Sequence, residues 1–339
     1  VVMNEIDSII GNKQKLESRT YKEIKESNDR INKVGDIFEH GQAISPIIKK
    51  VENRIRGFVQ IQNGCDHRCT FCIIPYGRGD SRSVEPENVV NQINTLLDQG
   101  YKEIVLTGVD LTSYGHDLEN KPNLATLVSH ILFSIPNLKR LRLSSLDVAE
   151  IDKNLMDLIK YEKRILPHIH LSLQAGDNMI LKRMKRRHLR DDAISVINEI
   201  RSVRSEVVFG ADIIAGFPTE NDEMFQNTVD LIEDCNITFL HIFPFSPREG
   251  TPAARMPQVD RYIIKKRAKI LREIGKKKLL EYYDGLKNKK INVIVEDKGR
   301  GRSDTFAKVQ IDNNLDNGQI VKMIVTGRNQ IGLTGNIVV

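Results

Sequence analysis

The chain has 339 residues, of which 40% are hydrophobic and 28% are charged, and its formal net charge is +6 with a pI of about 9.0. This length can bury a full core and predicts a large domain plus a smaller one. A membrane protein and a disulfide scaffold are disfavoured, because no apolar run approaches the roughly 20 residues of a membrane span and cysteines are few. The positive charge weakly favours a polyanionic partner, and the low cysteine content predicts a reducing cytoplasm.

Residues 1–54 are rich in lysine and glutamate and show weak periodicity, so they predict no clear core. Short helical and extended pieces are expected there, for example around Ile24 and in the run 44–48. The sequence begins Val1-Val2-Met3, which indicates a fragment, an alternative start codon or a trimmed chain.

Three cysteines, Cys65, Cys69 and Cys72, follow in one short loop, with three and then two residues between them. Thiolates this close can bind a single metal centre. A [4Fe–4S] cluster held by three cysteines leaves one iron open for a small chelating molecule. This spacing is typical of radical S-adenosylmethionine (SAM) enzymes, in which SAM occupies the open iron.

Two other uses of the cysteines stay open at this point. A structural zinc ion would need a fourth ligand, from His67 inside the loop or from the distant His116 or Cys235. A disulfide is disfavoured because the group is odd-numbered in a chain with four cysteines.

From Gly57 onward, short extended runs alternate with helical patterns. One helix is predicted to begin at Pro86 and to stop near Gly100, and Thr219 is predicted to cap a later helix that buries Phe225. About six β–α units predict an α/β fold, an incomplete parallel (β/α)6 barrel. The predicted strands are 57–63, 103–110, 140–146, 168–174, 207–217 and 239–247.

Several of these strands alternate polar and apolar residues, although barrel strands are usually apolar on both faces. Because side chains alternate between the two faces of a strand, each polar row lies on one face. That face would line the lumen if helices cover the apolar face. A polar lumen suits a zwitterionic ligand; the alternative is a hydrogen-bonded network with a structural role only. The rows are Gln60 and Gln62; Arg140, Arg142 and Ser144; and His168, His170, Ser172 and Gln174.

A long basic helix is predicted over 260–283, and short alternating runs follow it. Four or five short strands in about 60 residues predict a small antiparallel barrel of OB-like kind, a fold that often binds RNA. The alternative is a solvated surface without a partner. The predicted strands are 291–295, 307–311, 319–326 and 332–338, and the basic residues of this barrel are Lys298, Arg300, Arg302, Lys308 and Arg328.

Over residues 55–339 the motifs closely resemble the radical SAM methylthiotransferases. Two positions depart from the family pattern: Asp110 stands where Asn is usual, and Leu146-Asp147-Val148 replaces Ile-Glu-Pro. The C-terminal strands resemble the TRAM domain, which grips tRNA. The matching segments are 64–79, 107–115, 142–145, 172–176, 182–188, 212–220 and 245–253.

The resemblance implies a role for individual residues. Cys65, Cys69 and Cys72 would hold one [4Fe–4S] cluster, and the second cofactor would be SAM. Phe71 would pack on the adenine of SAM. No catalytic side chain is assigned, and the other residues implied in SAM binding are Gly108, Asp110, Ser144, Ser145 and Gln174.

Within the family, the basic TRAM-like segment and the loop 72–79 resemble the branch that adds a methylthio group to C2 of threonylcarbamoyladenosine in tRNA. C2 is an inert carbon beyond the reach of general bases, so radical chemistry is required. The implied partners are tRNA, bound through the TRAM domain and the basic helix, and an electron donor of flavodoxin or ferredoxin type. The implied domains are 1–54, a remnant of an N-terminal domain with a linker; 55–275, the radical SAM core; and 276–339, the TRAM domain.

Family members carry three further cysteines in an N-terminal domain, whereas this sequence has none before Cys65. The polypeptide is therefore expected to bind one cluster and to be unable to insert sulfur alone, as a degenerate copy, a split gene with a partner chain, or a truncated record. The alternatives are a non-catalytic tRNA-binding remnant, a ribosomal-protein methylthiotransferase, and a radical SAM enzyme with another reaction such as methylation.

Overall fold

The computed structural model of the protein describes residues 5–27, 29–37, 54–297, 299–311 and 315–338. The predicted extended run 44–48 lies outside them. The described residues form a small N-terminal β–α–β unit, a large α/β barrel and a small C-terminal β-barrel. Among them, no helix combines the length and apolarity needed to cross a bilayer.

The N-terminal unit pairs two short parallel strands around one helix. It contacts the large barrel through Asn12, whose Nδ2 donates to the carbonyl of Gly77 at 2.6 Å. This bond ties the unit to the helix that follows the cysteines. The elements of the unit are β1 (Ser8–Ile10), α1 (Ser18–Glu26) and β2 (Ile31–Lys33).

The large barrel alternates strands and helices, as the sequence predicts. Its elements are β3 (Arg56–Gln60), β4 (Gln62–Asn63), α2 (Ile74–Arg78), β5 (Arg82–Ser83), α3 (Pro86–Asp98), β6 (Glu103–Thr107), α4 (Leu124–Ser134), β7 (Leu141–Leu143), α5 (Lys153–Tyr161), β8 (His168–Gln174), α6 (Asn178–Arg183), α7 (Arg190–Val203), β9 (Val208–Ala215), α8 (Asp222–Asp234) and β10 (Phe239–Pro244).

Two three-stranded parallel sheets form the barrel wall, in the orders β3-β6-β7 and β8-β9-β10. Parallel bridges from Leu141 to Ile165 and from Leu146 to Leu171 connect β7 to the second sheet. No ladder within the described residues joins β3 to β10, so these two are edge strands with a seam between them. The predicted incomplete (β/α)6 barrel is confirmed.

Strand β8 illustrates how the alternation places side chains. Ile169, Leu171 and Leu173 are at most 1% exposed and belong to the main core under the helices. Because successive side chains point to opposite faces, His168 and His170 face the lumen. The apolar rows of the strands thus fix which residues are available to the interior of the barrel.

One predicted helix cap is wrong. Asn221 caps α8, because its side chain accepts from the backbone N–H of Met224 at 2.8 Å. Thr219 lies too early to reach that N–H; it has a positive φ of 70°, and its hydroxyl accepts from Arg183 at 2.8 Å. The predicted start of α3 at Pro86 is confirmed.

A long helix, α9 (Arg261–Asp284), belongs to both barrels. Ala268 and Leu271 pack in the core of the large barrel, whereas Tyr283 packs in the core of the small one. The domain boundary predicted after residue 275 falls inside this helix and stays a prediction.

The small barrel closes in the strand order β11-β12-β13-β15-β14. This confirms the expected OB-like barrel, with one difference: β13 and β15 pair in parallel, so the barrel is mixed rather than wholly antiparallel. Its strands are β11 (Lys290–Asp297), β12 (Arg300–Ser303), β13 (Lys308–Gln310), β14 (Ile320–Arg328) and β15 (Leu333–Val338).

The small barrel docks on the amino-terminal ends of the large barrel's strands, an end of the barrel that we call the base. Glu103 is fully buried there and accepts from Nε of Arg140 at 3.0 Å and from Nε of Arg142 at 2.6 Å. Arg142 also donates to the carbonyls of Ser303 and Asp304, both at 3.0 Å. A buried carboxylate between two guanidinium groups therefore joins the two barrels.

An aromatic contact completes the base. The Phe306 ring, from the loop after β12, stacks on His168 with the ring centroids 4.7 Å apart. Arg142 lies 5.1 Å from the same ring, a cation–π contact. For Arg140, Arg142 and His168, the expectation of a ligand-lined lumen is therefore wrong: these side chains form a structural network that holds the second barrel.

Candidate metal centre and cofactor site

The cysteine loop begins with a turn that only glycine fits. Gly64 has a φ of +79°, and a Cβ there would lie 1.9 Å from the carbonyl oxygen of Asp80. Gln62 holds this turn: its Nε2 donates to the Gly64 carbonyl at 2.8 Å, and its Oε1 accepts from the backbone N–H groups of Val109 and Asp110, each at 3.0 Å. Gln62 thus links the cysteine loop to the loop after β6, which is a positioning role.

The three cysteines are free thiols, all half-buried. Burial raises the pKa of Cys65 to about 12, and the charges of Asp110, Cys69 and Cys72 add to the increase. Burial also raises the pKa of Cys72. Such thiols stay protonated until a metal displaces the proton. Nη1 of Arg186 lies 3.9 Å from the Cys69 sulfur, where its charge offsets that of a thiolate.

His67 joins two carboxylates at the mouth of the loop. Its Nε2 lies 3.3 Å from Oδ2 of Asp110 and 3.4 Å from Oε1 of Glu150. The contact with Glu150 raises the pKa of His67 and outweighs the opposing effect of burial. Cys65, His67 and Asp110 each offer one ligand atom within 4.8 Å of the others. That donor set would suit zinc, but it would leave two of the three loop thiols unused.

A buried carboxylate, Asp147, lies behind this group. It is 5% exposed, with its oxygens 2.9 Å from Nη2 of Arg186 and 3.7 Å from Nδ1 of His188. Burial opposes its ionisation, but His188 and Arg186 outweigh that effect and lower the pKa of Asp147 to about 2. His188 is 1% exposed; its Nδ1 faces Asp147, and its Nε2 has no hydrogen-bond partner among the described residues. Such an imidazole indicates a place for a polar ligand.

The residues predicted to contact SAM follow the carboxyl ends of the strands, where a barrel enzyme carries its active site. Ser144 and Ser145 follow β7, and Gln174 ends β8. All three are half-buried, and their side chains make no hydrogen bond to any residue that the structure describes. Their hydrogen-bonding groups are free for a ligand, but their roles in SAM binding stay predictions.

Gly108 and Asp110, after β6, are already occupied by protein contacts. A Cβ on Gly108 would lie 2.9 Å from Oε1 of Gln62, so Gln62 itself requires a glycine here. Asp110 accepts from the Ser113 hydroxyl at 2.6 Å and lies beside His67. The structure brings Asp110 to the cysteines; direct contact of either residue with SAM stays a prediction.

Phe71 lies in a separate apolar cluster beside the cysteine loop. Its ring meets Phe217 edge-on, with the centroids 6.4 Å apart, and it packs against the cluster that contains Phe245 and Met184. An aromatic wall of this kind suits a purine. The predicted contact of Phe71 with the SAM adenine is compatible with this position and stays a prediction.

The sequence reasoning missed an ionic group above the cysteines. Arg187 Nη2 lies 2.6 Å from Oε1 of Glu150, and both residues line a pocket of about 360 Å³ with His67 and Lys185. The one available signal was the departure from the family pattern at 146–148, which places Asp147 in this region.

The residues present fit the two cofactors that the motif indicates. Three thiols in one loop match the ligand set of a [4Fe–4S] cluster with an open iron. Nε2 of His188 and the free side chains of Ser144, Ser145 and Gln174 provide polar groups for a polar cofactor beside it.

Comparison with known proteins supports this interpretation. The profile of the radical SAM superfamily matches residues 59–232. Threonylcarbamoyladenosine tRNA methylthiotransferase MtaB of Rickettsia prowazekii is 48% identical over 325 residues, which cover 96% of this chain and 76% of that protein. MtaB of Aquifex aeolicus is 36% identical over 95% of this chain and 78% of its own length.

A third relative has a different substrate in its name. The tRNA-2-methylthio-N(6)-dimethylallyladenosine synthase of Pelagibacter ubique is 32% identical over 86% of this chain and 67% of its own length. The names of these relatives therefore describe the same kind of reaction, methylthiolation of tRNA, on two different modified adenosines. From the profile match, the cysteine loop and these identities, the chain belongs to the radical SAM methylthiotransferase family, whose cofactors are a [4Fe–4S] cluster and SAM.

Proposed function

We propose that this protein modifies tRNA by directing a methylthio group to C2 of threonylcarbamoyladenosine next to the anticodon. The observation that carries the proposal is the 48% identity to a relative of that name over 96% of the chain, with the three-cysteine loop inside the matched region. Two dimethylallyladenosine synthases share less identity with this chain, 37% over 79% of it and 32% over 86% of it.

The proposed roles follow from the geometry. When bound, the cluster and SAM supply a 5′-deoxyadenosyl radical, the reactivity that an inert C–H carbon requires. Cys65, Cys69 and Cys72 would hold the cluster, and Arg186 would offset the charge of the thiolates. Phe71 would pack on the SAM adenine. Ser144, Ser145 and Gln174 would bind the polar groups of SAM, and Asp110 would orient His67 at the pocket mouth.

The proposed tRNA surface includes the solvent face of α9. Its exposed cations are Arg261, Lys265, Lys266, Lys269, Arg272, Lys276 and Lys277, of which Lys269 and Lys277 lie 3.8 Å from Glu273 and Glu281. A row of unburied cations on one helix favours a phosphate backbone. Two other basic residues of the helix are not available, because Arg267 is buried against Glu220 and Lys278 pairs with Glu233.

The small barrel contributes less free charge than its sequence indicates. Arg300 pairs with Asp297, Arg302 with Glu296, and Arg328 with Asp284, and Lys298 lies outside the described residues. Lys308 is exposed. We therefore expect α9 to supply much of the salt-dependent affinity for tRNA.

Mass spectrometry of tRNA nucleosides tests the substrate. Cells with the gene are expected to contain methylthiolated threonylcarbamoyladenosine, and cells without it are expected to contain only the unthiolated form. Loss of a methylthiolated dimethylallyladenosine instead would contradict the proposal.

We further propose that the polypeptide of this sequence holds one cluster. The support is its cysteine content: four in all, of which Cys235 is 1% exposed in the core. After anaerobic reconstitution we expect about four irons per chain, whereas about eight would contradict the proposal. A protein that binds tRNA but forms no 5′-deoxyadenosine under reduction would instead be a non-catalytic RNA binder.

A further inference from the structure

A polar cluster lies in the lumen of the large barrel, between the base and the cysteine loop. Nε2 of His170 in β8 is 3.0 Å from Oδ1 of Asp212 in β9, and Nδ1 of His241 in β10 is 3.2 Å from the same oxygen. The two imidazole centroids are 4.7 Å apart. Gly210 makes room for this arrangement, because a Cβ there would lie 2.6 Å from Nδ1 of His170. Neither the proposed SAM contacts nor the docking of the small barrel uses the cluster.

The cluster is accessible at one side only. His170 is 8% exposed, whereas the His241 side chain is 60% exposed on the edge strand β10. Nε2 of His241 makes no hydrogen bond to any described residue. The seam between β3 and β10 therefore presents one oriented imidazole with a free nitrogen.

One exposed aromatic ring shares the strand face of His241. Within the described part of the chain, the exposed phenylalanines are Phe58 at 41%, Phe133 at 87% and Phe243 at 52%. Phe58, on β3, belongs to the base, because the guanidinium carbon of Arg56 lies 6.0 Å from its ring and 5.7 Å from that of Phe306. Phe243 lies two residues after His241 on β10 and so shares its face. Exposed aromatic side chains beside polar groups are the usual stacking platform for an unpaired base.

The same three polar side chains are also spaced for a divalent cation. Two imidazole nitrogens already lie at ordinary hydrogen-bond distances from Oδ1 of Asp212. This arrangement argues against a cation at the cluster. The neighbouring ring of Phe243 offers no metal ligand but does offer stacking surface. The combination favours an aromatic organic ligand.

We propose that this seam receives the flipped-out substrate purine, with Phe243 stacking on the base and His241, oriented by Asp212, contacting an acidic N6 substituent. This inference rests on the proposed function and extends it to substrate choice. The free nitrogen of His241 pairs with a carboxylate or carbonyl of the substituent. An alkyl substituent would bury that nitrogen unpaired, which lowers affinity. His241 is then a specificity-determining residue.

Binding of anticodon stem-loop RNAs to the reconstituted protein tests the proposal. Three RNAs carry, at the target position, adenosine, its N6-threonylcarbamoyl derivative or its N6-dimethylallyl derivative. Fluorescence anisotropy gives Kd for each. The protein is expected to bind the threonylcarbamoyl RNA about tenfold more tightly than the dimethylallyl RNA, and His241→Phe is expected to remove that preference. Phe243→Ala is expected to weaken all three RNAs about tenfold.

Control variants separate the outcomes. His130→Gln changes a histidine of the outer helices, 2.9 Å from Glu87, and is expected to leave all three Kd values unchanged. Retained preference in His241→Phe with normal iron content would overturn this inference alone. Zn²⁺ bound at micromolar Kd by the protein and lost in His241→Phe would overturn it too, in favour of a metal site. A protein that binds none of the RNAs would overturn the proposed function itself.

Discussion

The two ends of the large barrel use the same kinds of charged side chain for opposite purposes. At the base, Glu103 is fully enclosed by Arg140 and Arg142, and every partner is a protein group. At the cysteine end, His188 is as deeply buried, but its Nε2 has no partner among the described residues. Because His168 at the base also has a buried Nε2 without a partner, the free nitrogen of His188 indicates a ligand only together with the free side chains of Ser144, Ser145 and Gln174.

The largest expected effect is at the cysteine end. Cys69→Ala removes one of three cluster ligands, so we expect loss of nearly all bound iron and a fall of more than about 100-fold in reductive SAM cleavage. Iron analysis and chromatography of 5′-deoxyadenosine measure both. Cys235→Ala is the matched control, since that thiol is buried in the core away from the loop, and its iron content should be unchanged. A Cys69→Ala protein that keeps its iron would refute the cluster assignment.

The next effect is at the base. Glu103→Ala leaves two buried guanidinium groups without their carboxylate, which is expected to lower the free energy of unfolding by about 3–5 kcal/mol. Urea denaturation of the protein measures it. Asp297→Ala removes the partner of an exposed arginine and should cause no measurable change. Equal stability of the two variants would contradict the structural role of the base network.

Acid titration tests the charge of Asp147. Its pKa is lowered to about 2, so the ionised form stabilises the fold above the unfolded pKa near 4. This contribution, about 2 kcal/mol, is lost as the pH falls from about 4 towards 2. We therefore expect the free energy of unfolding of Asp147→Asn to change less with pH over that range. Urea denaturation at each pH measures this free energy. If the free energy of unfolding of the variant and the parent fell equally over that pH range, Asp147 would not be held ionised by the fold.

The smallest expected effect concerns the N-terminal unit. Asn12→Ala removes the bond to the Gly77 carbonyl beside the cysteine loop, which is expected to cost about 1 kcal/mol. Hydrogen exchange of the amides in α2 is the sensitive measurement, and faster exchange is expected. Asn32→Ala, at an exposed position of β2, is the control. Unchanged exchange in Asn12→Ala would show that the unit does not support the loop.

The sequence by itself identified the features that depend on local order along the chain. The spacing of Cys65, Cys69 and Cys72 indicated the cluster, and alternation in segments such as 168–174 predicted strands and their buried faces. Both are reliable because a loop of eight residues must bring its thiols together, and because a strand must turn alternate residues to opposite sides.

The use of each polar row was decided only by tertiary contacts. His168 and His170 share one face of β8, yet the first stacks on Phe306 and the second pairs with Asp212. Phe306 is 138 residues away from His168 in the chain, so no local pattern could reveal the contact. Likewise, Gln62 supports the cysteine loop because folding places it opposite the loop after β6. Spacing thus determined which groups face inward, whereas the packing of distant segments determined which of them remain free to bind.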